Sequence, residues 1–268
     1  MVAPLDDGRA GATRPGPGPS GLRVQLTGVP GAWVEGRWID FRADRRFLLL
    51  ARLALADDWV GRERLADLFW QETSTDKALV NLRQLLKRVA ALEWVGALER
   101  QEDRLRWTVA TDVKEMERAA ARGDVEAALL CVRGPLLDGM DGDVSPQVAT
   151  WLACERERLA ERCRNLRLDL ATRLARSGQH SPAAALLEAM MRADAYDEEA
   201  TFAYMQVVVA SGRPLKALRA YQRFSRRLNE DLGLEPCRCT RLLAEEIRRE
   251  GAAARPGPPP VGRAAFPA

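Results

Sequence analysis

The sequence holds a single histidine, His180, among its 268 residues. A Ser–His–Asp triad needs a histidine as its base, and a histidine-based metal site needs histidine ligands, so the chain has little material for either. No G-x-x-x-x-G-K-[ST] run occurs, and this absence excludes a P-loop that would hold the phosphates of a nucleotide. The sequence therefore predicts a protein that is not an enzyme, with no catalytic residue and no cofactor.

Cysteine and long apolar runs are scarce as well. The five cysteines, an odd number without regular spacing, are typical of a reducing compartment rather than of a disulfide framework. Cys237 and Cys239 stand two apart, but no second close cysteine pair accompanies them, and we expect no metal site. No apolar run approaches the roughly 18 residues that span a bilayer, and residues 1–21 lack the apolar core of a signal peptide. We therefore expect a soluble, cytoplasmic protein with no membrane partner.

Charge of one sign does not dominate the chain, since 41 Lys and Arg stand against 38 Asp and Glu and the net charge is +3. This balance does not by itself indicate a nucleic-acid partner, so any electrostatic signal must be local. Residues 77–89, KALVNLRQLLKRV, provide such a signal because they contain no carboxylate. Their apolar residues recur at steps of three and four, which predicts an amphipathic helix over 77–92 with a cationic outer side.

Segments rich in glycine, proline and alanine stand at both ends of the sequence. They bury too little apolar surface to offset the entropy of ordering, so we expect disordered tails at residues 1–21 and 250–268. Between the tails, six of the seven tryptophans precede residue 110. This imbalance indicates two cores of different composition, and we predict one domain at 22–111 and a second at 112–249.

The first predicted domain has the order of a winged helix-turn-helix, an α+β fold, preceded by an added sheet. Residues 22–29 alternate like a strand before a Pro30-Gly31 turn, and Glu35-Gly36 marks a tight turn between two short strands. The connection 71–76 offers Ser74, Thr75 or Asp76 as an N-cap for the last helix. The helical patterns and the final hairpin occupy residues 44–56, 62–70, 77–92 and 94–109.

The second predicted domain is helical throughout and contains a repeat. Segments 174–190 and 208–224 align at an offset of 34 residues, which pairs Ser177 with Ser211, Gly178 with Gly212, Ala183 with Ala217 and Leu187 with Tyr221. A helix-turn-helix period of 34 residues is that of tetratricopeptide repeats. The expected fold class is therefore mainly α, with an N-terminal winged helix-turn-helix followed by an all-α tetratricopeptide-like helical repeat domain.

The amphipathic helix at 77–92 is the first candidate nucleic-acid contact. In a helix-turn-helix, the second helix of the pair enters the major groove with its exposed side toward bases and phosphates. Leu79, Leu82, Leu86 and Val89 would then turn inward. The outer side offers amides that can pair with adenine, cations that can contact guanine or phosphate, and an apolar group that can meet a thymine methyl. The residues that carry these groups are Val80, Asn81, Arg83, Gln84, Lys87 and Arg88. The same pattern also fits an ordinary solvated cationic face, and the helix alone does not decide between them.

The hairpin that would form the wing supplies further candidate contacts with DNA, at Arg100, Arg104 and Arg106. Glu99, Glu102 and Asp103 stand among them and would repel phosphate unless their side chains turn away. Over residues 77–106, seven Lys and Arg stand against four Asp and Glu, a local net charge of +3. The local excess of positive charge is modest and agrees with a nucleic-acid partner.

Several segments together carry a resemblance to a known family. In the first half these are, in order, LRVQLTG, RERLADLFW, NLRQLLKRV and WTVATDV. In the second half they are RGPLLDGM (133–140), WLACERERLAERC (151–163) and ALRAYQRFSRRLNEDLGLEP (217–236), of which the last is the most specific. Over about residues 22–249 the chain resembles the Streptomyces antibiotic regulatory protein family, which joins an OmpR-like winged helix to a helical bacterial transcriptional activator domain.

The resemblance implies a transcriptional activator that binds promoter direct repeats as side-by-side protomers and contacts RNA polymerase. Matched by position, the residues Asn81, Leu82, Arg83 and Gln84 begin the family's recognition helix. Two departures follow. Val89-Ala90 stands where a Leu-Arg pair often continues the helix, and Arg106 stands where a glycine usually precedes the aromatic residue of the wing.

Two classes of function remain open. In the first, the protein is a sequence-specific transcriptional regulator whose partners are double-stranded DNA, RNA polymerase and a second copy of the chain on DNA. In the second, the winged helix no longer binds DNA and the protein is a helical-repeat adaptor that holds a protein partner in its groove. The basic helix favours the first class, whereas the lost arginine and the acid-rich wing favour the second.

Overall fold

The structure, a computed structural model, describes residues 21–56, 58–96, 98–142 and 144–253 and is mainly α-helical, as predicted. It divides into two compact units, one reaching to Cys163 and the other beginning at Arg164. This division falls within a helix and not at 111–112. The predicted domain boundary at 111–112 stays a prediction, because compactness is a different criterion from the change in core composition that suggested it.

The described part of the first unit begins with three strands, and helices and further strands follow them. Its elements are, in chain order, β1 (Arg23–Gln25), β2 (Gly31–Val34), β3 (Arg37–Asp40), α1 (Arg45–Ala56), β4 (Val60–Gly61), α2 (Arg62–Trp70), α3 (Thr75–Ala90), a 3-10 turn (Glu93–Val95), β5 (Glu99–Gln101), β6 (Arg104–Arg106), β7 (Ala110–Thr111), α4 (Asp112–Ala121) and α5 (Val125–Cys131). The order of sheet, helices and hairpin confirms the winged helix-turn-helix that the sequence predicted.

After a non-helical connection, the described chain continues with the helices α6 (Pro146–Arg176), α7 (His180–Ala193), α8 (Glu198–Ala210), α9 (Pro214–Leu232) and α10 (Arg238–Ala253). Helix α10 includes the first four residues of the tail predicted at 250–268. Apart from these residues and Gly21, the two predicted tails lie outside the described residues.

The N-terminal sheet has the strand order β3-β2-β1-β7, with β1 antiparallel to β2 and parallel to β7. Glu35 and Gly36 have φ angles of 48° and 79°, so the tight turn predicted there is confirmed. The turn predicted at Pro30-Gly31 is wrong, because Gly31 is already the first residue of β2. A Cβ at Gly31 would lie 2.3 Å from the ring of Trp38, so this glycine makes room for an indole rather than for a turn.

Helices α2 and α3 form the helix-turn-helix, with a connection of residues 71–74. The predicted connection, residues 71–76, was two residues too long. Thr75 and Asp76 belong to the first turn of α3 in the structure. The carboxylate of Asp76 is favourable there because it faces the positive end of the helix dipole. Ser74 occupies the N-cap position, although its side chain makes no capping hydrogen bond.

The apolar side of α3 is buried as the periodicity predicted. Ala78, Leu82, Leu85, Leu86 and Val89 are each at most 6% exposed. Leu79, expected to point inward, is only half-buried, and Leu85 takes the inner position instead. The helix is therefore rotated slightly from the predicted register, and its cationic side still faces outward.

The repeat predicted in the second half is confirmed in the hydrogen bonds of two turns. Gly178 N donates to Ala175 O at 3.0 Å, and 34 residues later Gly212 N donates to Val209 O at 2.8 Å. The φ angles of Gly178 and Gly212 are 78° and 75°, and this conformation after a helix favours glycine. The hydroxyls of Ser177 and Ser211 also bond equivalent carbonyls, so the two turns share one geometry.

A buried carboxylate joins the N-terminal sheet to α4. Asp112 is 4% exposed and accepts hydrogen bonds from Leu26 N at 2.9 Å, Thr27 N at 2.9 Å and the Thr27 hydroxyl at 2.6 Å. Burial raises the pKa of Asp112 although these donors act in the opposite direction. Because the backbone donors just after β1 have this carboxylate as their partner, Asp112 fixes the position of α4 on the sheet.

We expect Leu82→Ala to lower the free energy of unfolding by about 2–5 kcal/mol, the usual range for a buried leucine. Val80→Ala is the matched control on the same helix, because Val80 is 48% exposed and should contribute little. Urea denaturation of the full chain measures both. Equal stability of the two variants would contradict the register of α3.

Asp112→Ala should also destabilise the fold, by about 3 kcal/mol or more, since each buried donor left without a partner costs about 1–3 kcal/mol. Asp124→Ala is the control, because this exposed carboxylate caps α5 through a single bond to Ala127 N. The control should cost about 1 kcal/mol. Thermal unfolding of both variants provides the comparison, and a smaller loss in Asp112→Ala than in Asp124→Ala would refute the assigned role.

Candidate nucleic-acid interface

The exposed side of α3 is the first part of the candidate interface. The structure places Val80, Arg83, Gln84, Lys87 and Arg88 in solvent and leaves Asn81 half-buried at the edge. These residues share one helix face because steps of three and four return to the same side. The structure therefore brings the six predicted residues of α3 onto one accessible surface, while their contact with DNA stays a prediction.

The cations of this surface are not neutralised by salt bridges in the part of the chain that the structure describes. Within the described residues, neither Arg83, Lys87 nor Arg88 forms a salt bridge, and Asp76 in the first turn is the only acidic residue of α3. Lys77 adds a fourth exposed cation, one turn ahead of Asn81. Lys77 was not among the predicted contacts, although its place in the carboxylate-free segment was a signal for it. Such a surface attracts a polyanion.

The wing is the second part of the candidate interface. Strands β5 and β6 form a hairpin in which Glu99 pairs with Arg106, Arg100 with Leu105, and Gln101 with Arg104. Side chains alternate between the two faces of a strand, so Arg104 and Arg106 belong to one face and Arg100 to the other. The three predicted wing arginines therefore do not converge on a single surface.

Arg106 is occupied by contacts inside the protein. Its guanidinium donates to the carboxylate of Glu99 and lies 4.6 Å from the ring centroid of Trp59. The Arg106 guanidinium and the Thr108 hydroxyl lower the pKa of Glu99, because both donate to its charged form. Glu99 is thus turned toward Arg106, and Arg106 has a structural role beside its predicted DNA contact.

The tip of the wing is acidic. Glu102, with a φ of 43°, and Asp103 form the two-residue turn, and both are exposed. The backbone carbonyl of Asp103 accepts from Arg62 N at 2.7 Å, which holds the turn against the start of α2. Arg104 Nε lies 3.8 Å from Asp103 Oδ1, so the positive charge of Arg104 is partly offset. Of the wing arginines, Arg100 alone is exposed without a salt bridge among the described residues.

Other chemistries have little support in the described part of the chain. No group of three or more His, Cys, Asp or Glu side chains there could hold a metal ion. Every helix described is too short or too polar to cross a lipid bilayer.

Comparison with known proteins gives concordant matches. The family model of the bacterial transcriptional activator domain matches residues 97–248, more than half of the chain. Regulatory protein AfsR of Streptomyces griseus is 28% identical over 256 residues, which cover 90% of this chain and 26% of that protein. The chain thus spans about a quarter of the length of this relative.

A solved structure of Mycobacterium tuberculosis EmbR in complex with a low-affinity phosphopeptide matches with a TM-score of 0.62. The match covers 85% of this chain and 65% of that one, at 23% sequence identity. At this identity, the likeness shows that the two proteins share a fold.

Arg106→Ala should lower the melting temperature of the full chain more than Arg100→Ala, because Arg106 alone pairs with Glu99 and stacks on Trp59. The lowered pKa of Glu99 means that its stabilising contribution is present at neutral pH and lost as the pH falls through that pKa. The difference between the two variants should therefore shrink in acid. Equal melting temperatures at neutral pH would show that the Arg106 contacts do not hold the wing.

Proposed function

The chain belongs to the bacterial transcriptional activator domain family and is a transcriptional regulator of the Streptomyces antibiotic regulatory protein type, and from that premise we propose that it binds promoter DNA through α3. In this proposal α3 lies in the major groove, and α2 and the wing lie along the backbone on either side. Activation of transcription follows from contact between the bound protein and RNA polymerase.

The cationic side of α3 is the observation that supports DNA binding most strongly. Lys77, Arg83, Lys87 and Arg88 are exposed and form no salt bridge within the described residues. Each cation that meets a phosphate releases condensed counterions from the duplex, and this release supplies much of the free energy of binding. Residues 77–90 of α3 contain no carboxylate, and a merely solvated face gives no physical reason for that absence.

The residues along the middle of the exposed side of α3 have side chains that can contact the edges of DNA bases. Gln84 can form two hydrogen bonds with an adenine, and Asn81 at the edge of the face can do the same if the helix tilts toward it. Val80 is apolar yet 48% exposed, which suits contact with a thymine methyl. Arg83 and Lys87 then contact guanine or phosphate beside these positions.

The wing makes the smaller contribution in this proposal. Arg100 is available for a phosphate, Arg104 is partly offset by Asp103, and Arg106 is held by Glu99. The acidic tip would be repelled if the wing entered the minor groove tip first. We therefore assign most of the affinity to α3, and we expect the wing to contact the backbone through one face only.

RNA polymerase and a second protomer are proposed as partners by family membership. The match to residues 97–248 includes most of the helical half of the chain, and that half carries the partner contacts in this proposal. Assembly on direct repeats places protomers side by side, so each helix α3 meets an equivalent half-site. The adaptor alternative is favoured by the acidic wing tip, and it predicts normal folding without any duplex affinity.

Selection from random duplex DNA tests the proposal. Full-length protein should enrich a repeated half-site, and Arg83→Ala/Lys87→Ala should weaken binding to the selected duplex about tenfold or more, since a base-contacting arginine alone contributes about 1–3 kcal/mol. The matched control is Arg118→Ala/Arg122→Ala, which removes two exposed cations at the end of α4. The control should bind like the original chain.

Two results would contradict the proposal. Full affinity in a folded Arg83→Ala/Lys87→Ala variant would exclude α3 as the recognition helix. Failure of the original chain to enrich any duplex, as the isolated protein or with RNA polymerase added, would favour the adaptor.

A further inference from the structure

A groove lies among α7, α8 and α9, entirely within the second unit, and has a volume of about 450 Å³. Tyr204, Ala220 and Phe224 contribute to its floor and are each at most 5% exposed. Met191 adds a flexible apolar wall. The volume and the apolar floor are typical of sites that hold a ligand or a few side chains of a partner.

One carboxylate also lines the groove, but its charge is already balanced. Glu188 Oε1 accepts from the Tyr204 hydroxyl at 2.6 Å and from Lys216 Nζ at 2.8 Å. The Lys216 ammonium, followed by the Tyr204 hydroxyl, lowers the pKa of Glu188, so the group is ionised and paired at neutral pH. Glu188 therefore orders the floor through Tyr204, and does not repel an anion as a free carboxylate would.

Three arginines, Arg192, Arg223 and Arg227, line the same groove. All three are exposed, and none forms a salt bridge within the described residues. Arg164 of the same unit, by contrast, donates to both Asp197 and Glu199. A guanidinium presents a fork of donors that matches a carboxylate, and among the described residues these three forks remain outside any salt bridge.

The positions of the three arginines indicate which ligand would fit the groove. Arg223 and Arg227 are four residues apart on α9, so their Cβ atoms are neighbours about 6 Å apart along one side of the helix. Arg192 stands on α7, on the other wall. A ligand with carboxylates on two sides of an apolar side chain would satisfy all three and cover the floor.

We propose that this groove binds an acidic peptide segment of a partner protein, with its carboxylates on Arg192, Arg223 and Arg227 and an apolar side chain against Phe224. Helical-repeat proteins use concave surfaces of this kind to hold extended segments. A DNA duplex is too wide to reach a floor inside 450 Å³, and phosphates would leave that apolar floor uncovered. The proposal does not depend on DNA binding by α3.

A peptide selection tests the proposal with the full chain. Random dodecapeptides are selected against the protein, and the enriched sequences should combine several Asp or Glu with Leu, Phe or another apolar residue. The best peptide should bind Arg223→Ala/Arg227→Ala about tenfold or more weakly, because charge-assisted hydrogen bonds are lost. Replacing its Asp and Glu by Asn and Gln should weaken binding to the original chain by a similar factor.

The control variant is Arg219→Ala/Arg226→Ala, which removes the same charge from α9 at positions outside the groove. It should bind the selected peptide as the original chain does. Circular dichroism of each variant establishes that it folds. A charge-reversed variant, Arg223→Glu/Arg227→Glu, should no longer enrich acidic peptides.

Several outcomes would overturn the proposal. Enriched peptides without acidic residues, equal binding by the groove and control variants, or no enrichment at all would each do so. Loss of duplex affinity in Arg223→Ala/Arg227→Ala, with peptide binding intact, would assign these arginines to a DNA surface instead. Because the α3 variants are measured on duplex DNA, failure of the peptide site is distinguishable from failure of the proposed function.

Discussion

The burial of one side of α3 is the constraint on which the proposed function of the first unit depends. Leu82, Leu86 and Val89 are held in the core, and this fixes the rotation of the helix about its axis. Once the rotation is fixed, Arg83 and Lys87 have no inward alternative and must face solvent. The same apolar contacts that stabilise the fold therefore determine which charges a partner can meet.

Local patterns made much of this fold predictable from the sequence. The spacing of apolar residues in α3, the Glu35-Gly36 turn and the hairpin of the wing each depend on neighbouring residues alone. The repeat was found in the same way, because Gly178 and Gly212 end helices in equivalent turns. Such signals survive in a single sequence, since no distant contact is needed to define them.

Features that depend on distant contacts could not be read from the sequence. Arg106 was a candidate DNA contact because of its charge, and only the fold places Trp59 and Glu99 around it. The groove of the second unit needs Arg192 from one helix and Arg223 from another, whose approach is set by tertiary packing. The turn predicted at Pro30-Gly31 failed for the same reason, because Gly31 makes room for a tryptophan of another strand.

The salt dependence of duplex binding tests the central claim, that the outer side of α3 lies against DNA, most directly. The logarithm of the affinity of the selected duplex is measured against the logarithm of the salt concentration, for the original chain and for Arg83→Ala/Lys87→Ala. Each phosphate contact contributes about 0.9 to the slope. The account predicts that the variant's slope is shallower by about 1–2. Identical slopes, with both proteins folded and bound, would contradict it.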